Sequence, residues 1–360
     1  MILVLCISLL SLIQSSAQDL APLIASNTVE LDRILIYDMA SDTIHALNFG
    51  DYRHHVWDFS PDGCRLLFTM SDGTLPAKLY SVRIDGQDLR ELVTYTDLPS
   101  SEWGVWEPDW SPDGATIAFT MIRNISAGES TFGQSHHIAR IPATGGIPEF
   151  YSITGREYSP QWSPDGAWLA YTSRDDTPAL AADLWVVSTD GETKYQLTYF
   201  PTGSVNNPRW SPNNQSISFT HAQNSGNHMV WMVNNQHGAT PIQLTYTASL
   251  ILDITWLPDS SHIITAMRDF KGLSENRLWQ VPLSGMTETN TTLYLDTLNL
   301  SHADYPRFSP DGNWLVTRSA YELALVNLRD SSLTWLSQKM LGNTPIVWSS
   351  TNVRDAASCP

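Results

Sequence analysis

Asp58, Asp109, Gln161, Arg209, Thr255, Arg307 and Val347 stand 51, 52, 48, 46, 52 and 40 residues apart. Each directly precedes an aromatic residue: Phe59, Trp110, Trp162, Trp210, Trp256, Phe308 and Trp348. Two carboxylates and two guanidinium groups at equivalent points of a repeat can do one of two things. They can hold a polar ligand by charge-assisted hydrogen bonds, or they can neutralise one another as an internal ion network. Neighbouring residues on a strand point to opposite faces. If the aromatics are buried, the residues before them face the other way. A dry core does not hold such groups unpaired, so the reading places them near a central channel.

The segments leading into these positions carry Trp103, Trp106, Glu107, Glu157, Tyr158, Asn206, Asn207, Asp253, Asp304 and Tyr305. The longest, Thr96–Trp110, is also the most aromatic. It reads as a loop on one rim. Aromatic residues beside carboxylates on an exposed rim suit a protein, peptide or glycan partner; the alternative is a long loop that packs on itself. The candidate binding residues are therefore Trp103, Trp106, Glu107, Asp109, Arg209, Asp253 and Arg307. No Gly-x-Ser-x-Gly elbow, His-Glu-x-x-His pair or glycine-rich phosphate loop before a helix occurs. His54-His55 and His136-His137 are adjacent pairs, and adjacent strand residues diverge, so neither pair should share an ion. The expectation is no catalytic residue, no metal and no cofactor.

What positions these residues is a turn. Ser-Pro-Asp-Gly follows the aromatic at 60–63, 111–114, 163–166 and 309–312, with degenerate copies at 211–214, 257–260 and 349–352. Pro presets the first central φ of a type I turn, Asp suits the second, and Gly accepts positive φ after it. Runs such as Ala115–Thr120 and Ala167–Thr172 follow, rich in β-branched and aromatic residues, so each turn joins two strands. A second hairpin comes next, for example Asp183–Thr198 with its Thr-Asp-Gly turn. Four strands per 40–50 residues is the arithmetic of a β-propeller blade. Six complete units leave a hairpin at Ile34–Leu47 and a strand at Pro345–Trp348. Joining these two remnants in one composite sheet removes both exposed edges. The expected fold is an all-β propeller of seven blades, with six as the alternative. Its expected limits are residues 34–349, after a linker at 18–33 and before a tail at 350–360.

The recurrent Trp-Ser-Pro-Asp-Gly, followed by "LAYTSRDD" (Leu169–Asp176), "DLWVVSTDG" (Asp183–Gly191) and "QLT" (Gln196–Thr198), resembles the TolB-like, WD-repeat-like propeller family. The resemblance runs from about Ile34 to Ser349 and implies the propeller fold. The family's namesake carries an α/β domain ahead of its propeller, and the roughly sixteen residues before the first hairpin here do not match one. Similar propellers also precede a hydrolase domain in prolyl-oligopeptidase-like peptidases, and only eleven residues follow Ser349 here. Other propellers that this chain resembles are lyases. The resemblance thus leaves two functional readings. The first is a non-enzymatic binding module. The second is a secreted enzyme acting on acidic polysaccharide or glycan, with a metal in the channel.

Lys+Arg number 20 against 37 Asp+Glu, a formal net charge of -17. Such a surface repels phosphate backbones and anionic lipid, which argues against nucleic acid and membrane surfaces as partners. Ile2–Ile13 is apolar, too short to span a bilayer, and Ser15-Ser16-Ala17 offers small residues before Gln18. Residues 1–17 read as a cleaved signal peptide, giving a secreted or periplasmic monomer. Cys6 leaves with the signal. Cys64 and Cys359 remain, and export permits them to pair. Cys64 directly follows the turn at 60–63. An eleven-residue reach from Trp348 covers about 36 Å extended, enough to bring Cys359 there.

Overall fold

A computed structural model describes residues 22–28, 30–73, 76–123, 136–151, 156–174, 181–223, 228–246, 250–268, 275–287, 289–320, 322–336, 346–349 and 359. The signal peptide and its cleavage site lie outside the described residues, as does the tail apart from Cys359.

The chain is all-β and propeller-like. Each repeat forms an antiparallel four-stranded unit, as in Arg156–Trp162, Trp168–Arg174, Ala182–Ser188 and Lys194–Gln196, taken from the inside outward. The strand that ends in the repeat aromatic is innermost in its unit. Those innermost strands are Arg53–Phe59, Trp103–Trp110, Arg156–Trp162, Ser204–Trp210, Leu250–Trp256 and Ala303–Phe308. They touch one another in chain order, and Val347–Trp348 touches both the last and the first of them.

The linker expected at 18–33 contains a strand. Leu23–Asn27 pairs antiparallel with Ile34–Asp38 on one side and with Val347–Trp348 on the other. The C-terminal strand therefore adds to Leu23–Asn27 and not to the Ile34–Leu47 hairpin directly. The reason is burial. All five residues of "LIASN" are buried, and a strand covered on both faces shows no alternation to betray it.

The turns behave as their chemistry demands. The Gly63, Gly114, Gly166 and Gly312 N–H groups donate to the Ser60, Ser111, Ser163 and Ser309 carbonyls at 2.7–2.9 Å. These glycines sit at φ 69–73°, and at the degenerate copies Asn214 and Ser260 take the same left-handed conformation at 63° and 61°. In the Ser60 turn the serine hydroxyl donates to Asp62 and accepts the Arg65 N–H. One serine thus locks both the turn and the start of the next strand.

The aromatics are staples between units. Trp162 packs with Ala118 and Ile138 of the preceding unit as well as Leu169 and Tyr171 of its own. Its indole N–H donates to the Asp109 carbonyl at 3.2 Å. Trp210, Trp256 and Trp348 make the same bond to Gln161, Arg209 and Arg307, each at 3.0 Å. Tryptophan fits here because it buries a large apolar face while its one polar atom finds a backbone carbonyl to donate to.

Candidate functional site

All seven residues that precede the repeat aromatics line one cavity of about 540 Å³. That size falls within the range of small-molecule sites. A bulge aims them. In each of the six long innermost strands the register shifts just before this level, for example between Trp106 and Asp109 and between Asn206 and Arg209. In four of them the bulge holds a non-glycine residue at positive φ followed by proline: Glu107, Ser159, Asn207 and Tyr305, at 49–53°. Left-handed backbone at such residues costs about 1–3 kcal/mol and clusters at functional sites. All four side chains line the same cavity.

The charges are segregated around the wall. Asp58 and Asp109 come from neighbouring units. Asp58 accepts the Trp110 N–H at 3.2 Å and Asp109 the Trp162 N–H at 2.6 Å. Burial pushes the Asp58 carboxyl well above the usual range, and the charge of Asp109 adds to the rise. Burial likewise raises Asp109, to about 7, against the pull of the Trp162 N–H and of Arg209. Glu107 is raised by burial too, although it accepts the Ser159 N–H and hydroxyl at 2.9 and 3.0 Å. Across from this acidic arc, Arg307 donates to Asp253 at 2.6 Å. Arg209 lies 4.0 Å from the same carboxylate and donates to the Gln161 amide oxygen at 3.3 Å. Two guanidinium groups thus share one carboxylate, itself 3% exposed. Burial first and Arg307 second lower the Arg209 pKa.

Of the predicted site residues, the structure brings Trp106, Glu107, Asp109, Arg209, Asp253 and Arg307 to this cavity. Trp103 is elsewhere. It is half-buried, stacks on His137 with ring centroids 5.9 Å apart, and packs on the core beneath. Three positions separate Trp103 from Trp106, so they fall on opposite faces of the strand. The expected rim loop also ends early. Trp103–Trp110 is the innermost strand of its unit, and its bulge hides the alternation that would have marked it. Glu157, placed on the rim from sequence, is fully buried and accepts the Ile138 N–H at 3.2 Å. The reading missed Trp57 and Ser159. Trp57 meets Trp106 edge to face at 4.8 Å on the cavity wall. A signal for the bulge was available: Pro108, Pro160, Pro208 and Pro306 each stand two residues before an aromatic. Proline removes a ladder donor and so marks a bulge or edge.

The histidines of the first pair meet different surroundings. His54 is buried, with its N–H donating to the Leu31 carbonyl at 2.8 Å. His55 faces Trp106 on a neighbouring cavity of about 320 Å³. Among the described residues no group of three or more His, Cys, Asp or Glu could hold a metal ion.

The paired acids predict a pH dependence. A carboxyl raised in the fold binds its proton more tightly there than in the unfolded chain. It therefore lowers stability as pH rises from about 4 toward its folded value; for Asp109 that window ends at about 7. His54, His55, His137 and His221, lowered by burial, tilt the curve the other way below neutrality, so the readout is a difference. Asp58→Asn/Asp109→Asn removes both titrating groups and keeps one acceptor oxygen at each position, so any bond lost at Asp58 offsets both pH values alike. The variant's urea midpoint should gain on the wild type between pH 5 and pH 8. An equal offset at both pH values would show that the pair is not held above its ordinary range.

Residues 76–269 match the model of a family described as the dipeptidyl peptidase IV (DPP IV) N-terminal region. An uncharacterized peptidase of Bacillus subtilis, YuxL, is 27% identical over 228 residues, which are 63% of this chain and 31% of that protein. The chain thus spans about a third of that relative's length. Among solved structures, oligogalacturonate lyase in complex with manganese superposes with TM-score 0.61 at 12% identity, over 87% of this chain and 83% of that one. TolB from Acinetobacter baumannii gives TM-score 0.50 at 16% identity, over 91% and 83%. These likenesses speak to fold: the domain is propeller-like and of the TolB type in shape, and none of them carries a WD-repeat identity. The family match covers more than half of the sequence, and the chain belongs to the family of the DPP IV N-terminal region.

Proposed function

We propose that this chain is an exported, non-enzymatic seven-bladed propeller that binds a protein, peptide or glycan through its central cavity. One observation carries the reading: a single cavity of about 540 Å³ is lined by the same position of every repeat, with aromatic, acidic and basic side chains on its wall. A scaffold that only needed to fold would gain nothing from four left-handed non-glycine residues at that level. The seven-blade count is supported by the unbroken cycle of contacts between innermost strands, Val347–Trp348 included. Export is supported by the apolar N-terminal run and by the disulfide between Cys64 and Cys359. The lyase reading would need a cluster of metal ligands or paired catalytic groups, and no such metal cluster occurs among the described residues.

Trp106 tests the site. It lines this cavity and both neighbouring ones of about 320 and 390 Å³. Trp106→Ala should weaken binding of a partner captured from the exported fraction at least tenfold, with a melting temperature within a few degrees of wild type. Trp103→Ala, off the cavity, should leave binding unchanged. Equal loss in both variants would move the site away from the cavity.

A further inference from the structure

The wall of the central cavity is electrically two-sided. Asp58 and Asp109 sit on adjacent units, with Glu107 beside them and the Trp57–Trp106 pair next to them, ring centroids 4.8 Å apart. Arg209 and Arg307 come from units four and six of the ring, and Asp253 is the carboxylate that both reach within 4.0 Å. In the order of the repeats the acids hold positions one and two of the ring, and the arginines hold four and six. Acidic and basic groups that served only to neutralise each other would be expected in contact. Here Arg209 reaches Gln161 and a distant edge of Asp253, while Asp58 accepts the Phe59 and Trp110 N–H groups on its two oxygens and Asp109 accepts the Trp162 N–H on one. Among the described residues no ion pair within 4.0 Å joins Asp58, Asp109 or Glu107 to an arginine, although Arg209 is near enough for its charge to lower Asp109 and Glu107.

Resting on the reading of this cavity as the binding site, we infer that the group it seats is a small zwitterion. Its cationic nitrogen lies against Asp58, Asp109 and the face of Trp106, and its anionic group lies between Arg209 and Arg307. Each half follows from ordinary recognition chemistry. An ammonium beside carboxylates gains further from an aromatic wall by cation–π attraction. A carboxylate placed between two guanidinium groups that share one counter-charge relieves their repulsion and takes charge-assisted hydrogen bonds from both. Neither half alone accounts for both arcs. A plain cation leaves the arginines crowded, and a plain anion meets the acids. The two charges of the ligand must therefore be held apart by a spacer, so binding should depend on spacer length.

The probes are ω-amino acids of increasing chain length: glycine, 4-aminobutanoate, 6-aminohexanoate and 8-aminooctanoate. Hexylamine and hexanoate serve as one-charge controls. Binding is read by quenching or shift of tryptophan fluorescence in the full chain and confirmed by calorimetry. One spacer length should bind best, at least tenfold tighter than either one-charge control. Arg307→Gln should weaken that zwitterion tenfold or more without weakening hexylamine, since it removes a cation from the wall and frees Asp253. Trp106→Phe should weaken it less than Trp106→Ala does. If hexylamine or hexanoate binds as tightly as the best zwitterion, the inference falls while the cavity stays the site. If a neutral oligosaccharide gives a Trp106-dependent signal and no zwitterion does, the inference again falls alone. If no probe of any kind gives a saturable Trp106-dependent signal, inference and binding site fall together.

Discussion

Trp162→Ala should destabilise the fold by about 3–5 kcal/mol, the range for removing a buried tryptophan or phenylalanine. Trp162 is 6% exposed, and its neighbours come from two units: Ala118 and Ile138 on one side, Leu169, Tyr171 and Val187 on the other. The substitution opens a void at a seam, where two packed four-stranded units must both move to close it. It also removes the bond from the indole N–H to the Asp109 carbonyl at 3.2 Å, and a bond of this kind contributes about 0.5–1.5 kcal/mol net. Trp162→Phe separates the two terms. It keeps most of the apolar contact and loses only the bond, so about 1–2 kcal/mol is expected. Urea titration of both variants checks this. A loss below about 1 kcal/mol for the alanine variant would mean that the seam carries little of the stability. A typical domain is stable by about 5–15 kcal/mol in total, so the expected loss is a large part of the whole. It also reaches the site, because Asp109 accepts the Trp162 N–H and lines the cavity.

The same seam shows why the fold was readable from the chain. A turn with strict demands, Ser-Pro-Asp-Gly, recurs beside an aromatic that must fill a fixed gap, and both constraints are local in sequence. The cavity-facing residues were legible by alternation alone, because Asp58, Asp109 and Arg209 each lie one step from a buried aromatic and Arg307 one step from the half-buried Phe308. Alternation failed where the backbone departs from a plain strand. At Trp103 and Trp106 the spacing is odd, so one aromatic faces the core and the other the cavity. At Glu107 and Ser159 a bulge inserts a left-handed residue, which shifts every side chain upstream of it to the other face. Leu23–Asn27 escaped for a third reason. A doubly covered strand of five residues carries no period, and only its partners, one of them Trp348, reveal it. Local chemistry therefore located the inner wall, while the identity of each face depended on registers set by contacts distant in the chain.

The disulfide should matter most where the sheet is thinnest. Val347–Trp348 pairs with the N-terminal strand through only two registered positions, Trp348 with Ile24 and Val347 with Ala25. Ser349 adds a backbone bond to Leu23 at 2.9 Å and a hydroxyl that accepts the Leu23 N–H at 2.7 Å. A two-residue ladder at the end of the chain is prone to fray, since local opening costs little where few bonds hold. Cys64 and Cys359 are bonded across 295 residues of sequence, and both are buried. The bond anchors the segment after Trp348 to the turn of the first unit, whose Cys64 N–H is itself held by Asp62 at 3.0 Å. Closing so long a loop removes about 6 kcal/mol of unfolded-state freedom in the chain-entropy model. Cys64→Ala/Cys359→Ala should therefore lower stability by several kcal/mol, roughly 2–5, read as a shift of the urea midpoint without reductant. The wild type in reductant should fall to the same midpoint. Mass spectrometry with thiol alkylation of the denatured, unreduced, exported protein completes the test. A chain beginning at Gln18 with no alkylated cysteine is expected. One alkylated thiol would place Cys6 still on the chain and overturn cleavage after Ala17. Two on a chain beginning at Gln18 would overturn the bond, and the thin ladder would then have to hold the last strand alone.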